Sequence, residues 1–287
     1  MDRKILISEL KNELIHDISS LCSRRDVLWI APIVETIRDL QISSTRAVFF
    51  GGTLRSLLLS RLKTGKFGRP RDIDIVVSGA SLDQLREQFQ EYFTRETRFG
   101  GLSMKRSHWQ FDIWPLEQTM AFRECQIMSA RFESLPSTTF FNLEAVAVDA
   151  WTTRGQARKI YSDNDQFFDG IVDRILEINN ENNQFPALCV VRALVLASDT
   201  HFAIGPKLAS YLTNVGGSLS DAELQKVQLK HYNRIRYDVG VMRVWLQHIS
   251  KSLREKREDP ILLPSLPQLT LWEENELPKL AFHLFVE

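Results

Sequence analysis

Two short motifs constrain the fold of this chain more than any other feature of its sequence. The first is Gly51-Gly52, which follows a short apolar run and precedes a segment with helical spacing. The second is Asp72-Ile73-Asp74, which opens another apolar run. Residues i and i+2 of a strand point to the same face, with Cα atoms roughly 6–7 Å apart. We therefore expect Asp72 and Asp74 to project together, while the apolar residues at 73, 75 and 77 lie on the buried face.

Both motifs are suited to binding a nucleotide and its metal. Convergent carboxylates are typical ligands of Mg²⁺, which keeps several waters and is usually shared with substrate phosphates. Glycines let the backbone approach a phosphate closely, and N–H groups at the start of a helix bind anions. An alternative remains open, in which Asp72 and Asp74 form a solvated strand end and Gly51-Gly52 forms a plain turn.

The order of these motifs carries a resemblance to a known family. The segment from Val48 to Val77 resembles the catalytic signature of the DNA polymerase β-type nucleotidyltransferase superfamily. It is most similar to the branch of tRNA nucleotidyltransferases (CCA-adding enzymes) and bacterial poly(A) polymerases, which reads Gly-Gly-x-x-Arg-Asp, a Leu-Leu run and Asp-x-Asp. This chain departs at Ser56, where the branch usually has Asp. The resemblance implies that Gly51, Gly52 and Arg55 bind a nucleoside triphosphate; for Arg55 a plain salt bridge is the alternative.

A third carboxylate is expected on a hairpin over residues 98–115. Asp112 alternates with apolar neighbours in this segment, and the superfamily carries its third carboxylate on such a strand. By this resemblance Asp72, Asp74 and Asp112 are the predicted catalytic residues and the ligands of a two-metal Mg²⁺ site. Two metals held about 3.5–4 Å apart are used for phosphoryl and nucleotidyl transfer. Glu117 is the alternative third carboxylate.

Downstream, the polar residues that the branch uses to handle the nucleotide are mostly replaced. Thr-Thr-Phe at 138–140 stands in place of Arg-Arg-Asp, and Glu144 stands in place of Asn. Apolar residues and a cysteine within 185–189 replace three residues of the neck motif, of which Arg192 remains and is predicted to bind nucleotide. A site without paired polar groups discriminates bases poorly.

Two later segments also allow a functional interpretation. Residues 166–173 resemble the hinge motif Gly-x-x-Asp of the branch, in which Gly170 would supply flexibility and Asp173 would pair with an arginine. Residues 226–237 interleave cations with aromatic side chains, a combination that binds RNA by charge and stacking. An ordinary solvated helix face is the alternative for the second segment.

Composition and periodicity define the architecture. The 287 residues are 44% hydrophobic and 25% charged, with 36 cationic and 36 acidic side chains, so a folded core is expected without strong non-specific binding to nucleic acid. Three scattered cysteines and the lack of a long apolar run favour a cytoplasmic protein without a membrane segment. The predicted fold class is α+β, with a head domain over 1–150 carrying a small mixed sheet, and an all-helical neck and body over 151–287.

The predicted activity is metal-dependent transfer of a nucleoside monophosphate from an NTP to an acceptor hydroxyl. By family analogy the acceptor is an RNA 3′ end resembling that of tRNA. The same chemistry on a protein or small-molecule hydroxyl is the first alternative, because the base-selecting motifs are eroded. A catalytically silent nucleotide- or RNA-binding protein is the second, and the intact pair of aspartates argues against it.

Overall fold

The structure is a computed structural model that describes residues 2–24, 27–97, 99–119, 122, 130–153, 155–182, 185–255 and 259–265. The chain forms two compact units, Met1–Asn182 and Asn183–Glu287. None of the helices in these ranges is long and apolar enough to cross a membrane.

The first unit combines helices with one mixed sheet. Its helices are α1 (Arg3–Ser23), α2 (Ala31–Ser43), α3 (Gly52–Thr64), α4 (Leu82–Gln88) and α5 (Gln166–Asp173). Its strands are β1 (Arg46–Phe50), β2 (Ile73–Ser78), β3 (Phe93–Glu96), β4 (Leu102–Arg106), β5 (Trp109–Pro115), β6 (Val146–Asp149), β7 (Ile160–Ser162) and β8 (Ile175–Leu176). The predicted α+β class is thereby confirmed.

Seven strands pair in the order β3-β4-β5-β2-β1-β6-β7. Only the pair of β2 with β5 is parallel; the other described neighbours are antiparallel. Ile73, Ile75 and Val77 are fully buried, as their alternation predicts, because the sheet packs one face into the core. The predicted hairpin is formed by β4 and β5.

Helix α1 is held in the first unit by apolar packing and by an ion pair with a buried aspartate. Leu14 and Ile18 lie one turn apart and are fully buried, as expected for an amphipathic helix. Asp17 is also buried and accepts hydrogen bonds from the Arg61 guanidinium of α3, with Nε at 2.9 Å from Oδ1 and 2.8 Å from Oδ2. The planar fork of arginine matches both oxygens of a carboxylate, so this contact fixes the packing of α1 on α3.

The second unit is mostly helical. It contains α6 (Pro186–Thr200), the two-residue strand β9 (Ala203–Ile204), α7 (Pro206–Tyr211), a π-helical turn (Leu212–Gly216), α8 (Asp221–Tyr232) and α9 (Val239–Arg254). Ser220 caps α8 in a reciprocal capping box, accepting a hydrogen bond from the N–H three residues later, so the sequence signal for this helix start is confirmed.

The first unit continues past residue 150, where the sequence placed the end of the head. Strand β7 pairs with β6, with Ala147 opposite Tyr161. The α5 helix contacts the start of α1 through Arg3, which binds Asp169 at 2.6 Å and Asp173 at 2.7 Å. The predicted pairing of Asp173 with an arginine is therefore present, and it joins the two ends of the first unit.

Candidate active site

Two of the three predicted aspartates lie side by side in the sheet, and the third lies just before it. Asp74 in β2 is the direct register partner of Asp112 in the parallel strand β5. Neighbouring strands are about 4.8 Å apart, so partners in register present their side chains to the same face. Asp72 precedes β2 by one residue and lies two positions before Asp74, on that face as well. The structure thus brings together three carboxylates that the sequence separates by up to 40 positions (112 − 72).

The charge of Asp74 is disfavoured by its surroundings. Burial is the main cause that raises its pKa well above the usual range, and the carboxylates of Asp72, Asp112 and Glu144 add to the effect. Arg71 opposes it. Like charges that share a site cannot all ionise freely, so Asp74 is the centre of a cluster of negative charge. A cation bound among these groups would relieve that repulsion.

Asp112 is oriented by two polar neighbours. The Ser103 hydroxyl donates to Asp112 Oδ1 at 2.7 Å, and Gln110 Nε2 donates to the same oxygen at 3.4 Å. Gln110 also donates to the Ser103 hydroxyl at 2.5 Å. Burial raises the pKa of Asp112, whereas these two hydrogen bonds lower it. The serine and the glutamine therefore hold one carboxylate oxygen and leave the other for a ligand.

The glycine pair forms the turn from β1 into α3, beside Asp74. Gly51 has φ of 57°, a left-handed conformation that strains any other residue type. A side chain at residue 52 would lie 3.4 Å from Asp74 Oδ2 and 3.6 Å from Arg55 Nη2. The buried Thr53 hydroxyl accepts a hydrogen bond from the Asp74 backbone N–H at 2.8 Å. The start of a helix, which attracts anions, is thus fixed next to the acidic cluster.

Arg55 is paired inside this site. Its Nη1 lies 2.6 Å from Glu144 Oε1, and the two side chains are only 17% and 11% exposed. The salt bridge that the sequence left as the alternative for Arg55 is therefore present. Because Glu144 also contributes to the raised pKa of Asp74, it belongs to the same cluster of charge.

The donor set suits Mg²⁺, although the side chains do not form a complete metal centre as they stand. Asp72 Oδ2 accepts from Arg71 Nη2 at 2.6 Å. Within the described ranges, no three histidine, cysteine or acidic side chains are close enough together to hold an ion. Carboxylate oxygens are nonetheless the ligands that Mg²⁺ prefers, and the mutual repulsion at Asp74 favours a divalent cation. Asp72 would have to turn away from Arg71 to complete the set.

The remaining residues to which the sequence assigned a role lie outside the acidic cluster around Asp74. Glu117, the alternative third carboxylate, is exposed in a 3₁₀ turn after the far end of β5. Arg192 is half-buried in α6 of the second unit, and its nucleotide-binding role stays a prediction. Gly170 does not show the features of a hinge: a Cβ there would lie 2.4 Å from Asn142 Nδ2 and 3.1 Å from a backbone oxygen. Close packing of α5 explains this glycine.

Residues 138–140, which stand in place of Arg-Arg-Asp, stabilise the local backbone. The Thr138 hydroxyl donates to the Leu135 carbonyl at 2.7 Å. The Thr139 hydroxyl donates to the Phe141 carbonyl at 3.0 Å, and Phe140 is buried. The two hydroxyls thus donate to backbone carbonyls of the same unit, and no charged group stands at these three positions.

Sequence reasoning missed Ser103 and Gln110 as partners of Asp112, and Glu144 as the partner of Arg55. The contact of Gln110 with Asp112 was predictable from the sequence, because Gln110 lies two residues before Asp112 on the same strand and so points to the same face. Ser103 required the hairpin register, which pairs Arg106 with Trp109 and so sets Ser103 opposite Asp112. The 89 positions between Arg55 and Glu144 leave no local signal at all.

The comparisons with known proteins agree with this geometry at the level of the fold. A tRNA-processing enzyme in its apo form superposes with a TM-score of 0.54 at 14% identity, over 81% of this chain and 58% of that one. A CCA-adding enzyme in complex with CTP gives 0.54 at 15% identity, over 84% and 55%. The Thermotoga maritima CCA-adding enzyme complexed with tRNA gives 0.52 at 14% identity, over 84% and 54%. The sequence itself matches no protein-family model and no curated protein.

The fold is accordingly that of the nucleotidyltransferases. The solved structures to which the chain is similar include CCA-adding enzymes, which confirms the predicted resemblance at the level of the fold. The chain spans a little over half the length of the structures it matches.

Proposed function

We propose that the chain is a metal-dependent nucleotidyltransferase that moves a nucleoside monophosphate from an NTP to an acceptor hydroxyl. The observation that carries the proposal is the register of β2 on β5, which sets Asp74 beside Asp112, with the glycine turn of α3 against the same carboxylate. The fold likeness to CCA-adding enzymes supports it.

In this proposal each residue has a distinct task. Asp72, Asp74 and Asp112 would hold Mg²⁺, which when bound neutralises triphosphate charge and lowers the pKa of the acceptor hydroxyl. The backbone N–H groups at the start of α3, which follow the Gly51-Gly52 turn, would face the triphosphate of the NTP. The acceptor oxygen attacks the α-phosphorus as its proton passes to solvent, and pyrophosphate leaves with the electron pair of the broken P–O bond. Positioning and charge neutralisation supply the rate enhancement.

An RNA 3′ end is the first acceptor to test, because neighbours in the fold are solved with tRNA, CTP and ATP. A protein or small-molecule hydroxyl is the second. It is favoured by the side chains at 138–140, whose hydroxyls and ring are engaged within the unit. A transferase with that segment would select poorly among bases.

The experiment is incubation of the purified chain with each α-labelled NTP, Mg²⁺ and RNA that ends in a free 3′ hydroxyl. We expect label on the RNA, and loss of at least 100-fold in rate for Asp72→Ala and Asp74→Ala. Asp83→Ala removes an exposed carboxylate of α4 and serves as the matched control. Label on protein or on a small molecule would select the second acceptor class. Unchanged incorporation in both aspartate variants would contradict the proposal.

A further inference from the structure

A cavity of about 380 Å³ lies between the end of α1, the α2 helix and the chain that follows β6. Its lining includes Cys22, Val34, Arg38, Trp151 and Arg158. This size lies within the range of pockets that bind small molecules, which combine an apolar lining with a few convergent polar groups. The cavity belongs entirely to the first unit.

The cavity is separate from the candidate active site. Glu144 precedes β6 and Ala150, which lines the cavity, follows it. The four residues of β6 lie between them and span roughly 13 Å at about 3.3 Å per residue. The two sites therefore lie at opposite ends of the central strands, and a ligand of one does not reach the other.

Two arginines give the cavity a positive charge that no carboxylate among the described residues neutralises through a salt bridge. Arg158 donates to the backbone carbonyl of Asp149, while the carboxylate of Asp149 accepts from the Tyr161 hydroxyl at 3.0 Å and lies 3.5 Å from Arg46 Nη2. Neither Arg38 nor Arg158 forms a salt bridge with any carboxylate in the described part of the chain. Guanidinium groups in this situation bind phosphate oxygens, often through two parallel hydrogen bonds.

Part of the remaining wall is apolar and aromatic and suits a flat ring. Val34 and Ile37 contribute apolar surface from α2, and both are buried. The half-buried Trp151 lines the same cavity. Aromatic side chains next to a cationic groove stack on nucleic-acid bases of any sequence.

We propose that this cavity is a second, non-catalytic binding site for a phosphate-bearing ligand of mononucleotide size, with Arg38 and Arg158 on the phosphate and Trp151 against the ring. The ligand is a free nucleotide or the terminal nucleotide of an RNA strand. The proposal stands whether or not the transferase activity is found, because it uses none of the same residues.

Isothermal titration of the full chain without divalent cations tests the site, using AMP, UMP, inorganic phosphate and a short single-stranded RNA. We expect binding of the mononucleotides that weakens about tenfold or more in Arg38→Gln and in Arg158→Gln, since each loses a charge-assisted hydrogen bond. Arg131→Gln removes an exposed arginine outside the cavity and should change nothing. Arg38 is exposed, so its variant stays informative if Arg158→Gln does not fold.

Two further arms identify the ligand and the place. Trp151→Ala should weaken mononucleotides about fivefold or more while leaving inorganic phosphate unchanged. Affinity should persist in Asp74→Ala, which alters only the candidate active site. Binding of the RNA alone, with the same losses in the arginine variants, would assign the site to RNA ends. Three results would overturn the proposal: no binding of any probe, wild-type affinity in both arginine variants, or loss of binding in Asp74→Ala.

Discussion

The raised pKa of Asp74 predicts that its ionised carboxylate opposes folding of the first unit, and Asp74→Asn isolates that cost. Asparagine has nearly the same shape and keeps the backbone N–H that donates to Thr53. Among the described residues no donor is hydrogen-bonded to the Asp74 carboxylate, so the substitution removes charge without removing a partner. We expect Asp74→Asn to abolish nucleotidyl transfer and yet to stabilise the protein when no divalent cation is present.

Coulomb's law gives the order of magnitude of this cost. Two carboxylates about 6 Å apart repel by about 3 kcal/mol at an effective dielectric constant of 20. Asp72, Asp112 and Glu144 all act on Asp74, and Arg71 offsets part of their effect. Solvent access and counterions reduce the sum. We therefore expect a gain of about 1–3 kcal/mol at neutral pH, or roughly 3–10 °C in melting temperature for a unit of this size.

The pH dependence has a defined sign. The pKa of Asp74 is raised in the folded state, so the folded protein keeps a proton that the unfolded chain has already lost. The cost of ionised Asp74 is therefore absent below the ordinary aspartate range, grows as pH rises toward the raised folded pKa, and is complete above it. The advantage of Asp74→Asn should vanish near pH 4 and below.

Thermal unfolding followed by circular dichroism between pH 4 and 8, with EDTA or with millimolar Mg²⁺, measures these effects. Mg²⁺ should stabilise the wild-type protein and have little effect on Asp74→Asn, because ligand binding to the folded state alone raises its stability. Asp83→Asn is the control and should stay within about 0.5 kcal/mol. A destabilised Asp74→Asn protein, or a gain that is the same at every pH, would refute the reasoning.

Three further substitutions test other parts of the structure. Glu144→Gln removes the charge partner of Arg55 (2.6 Å) and should release that guanidinium to the triphosphate, lowering KM for the NTP severalfold at a stability cost of about 1–2 kcal/mol; a raised KM in steady-state kinetics would argue that the pair positions Arg55. Gly170→Ala places a methyl group 2.4 Å from Asn142 Nδ2 and should cost about 1–3 kcal/mol in urea unfolding, whereas a hinge glycine would leave stability nearly unchanged. Ser220→Ala removes the N-cap of α8 and should lower the unfolding free energy by about 1 kcal/mol, with Ser220→Asp as the variant that retains it.

Much of the site was predictable because its signals are local. The two-residue period of β2 sets Asp72 and Asp74 on one face and buries Ile73. The glycine pair follows β1 and begins α3, and the positive φ of Gly51 is a conformation that glycine adopts readily. Each of these conclusions needs only neighbours in sequence, since the backbone geometry of a strand or a helix start is nearly the same in every protein.

The tertiary structure decided which distant side chains meet. Arg55 is paired with Glu144, and Ser103 holds Asp112, because strand order and register bring them to one place. Gly170 is a packing residue only because another segment lies against it. Such pairs form only when strands that are distant in sequence assemble in the correct register. No short segment of the sequence therefore predicts which two side chains will meet.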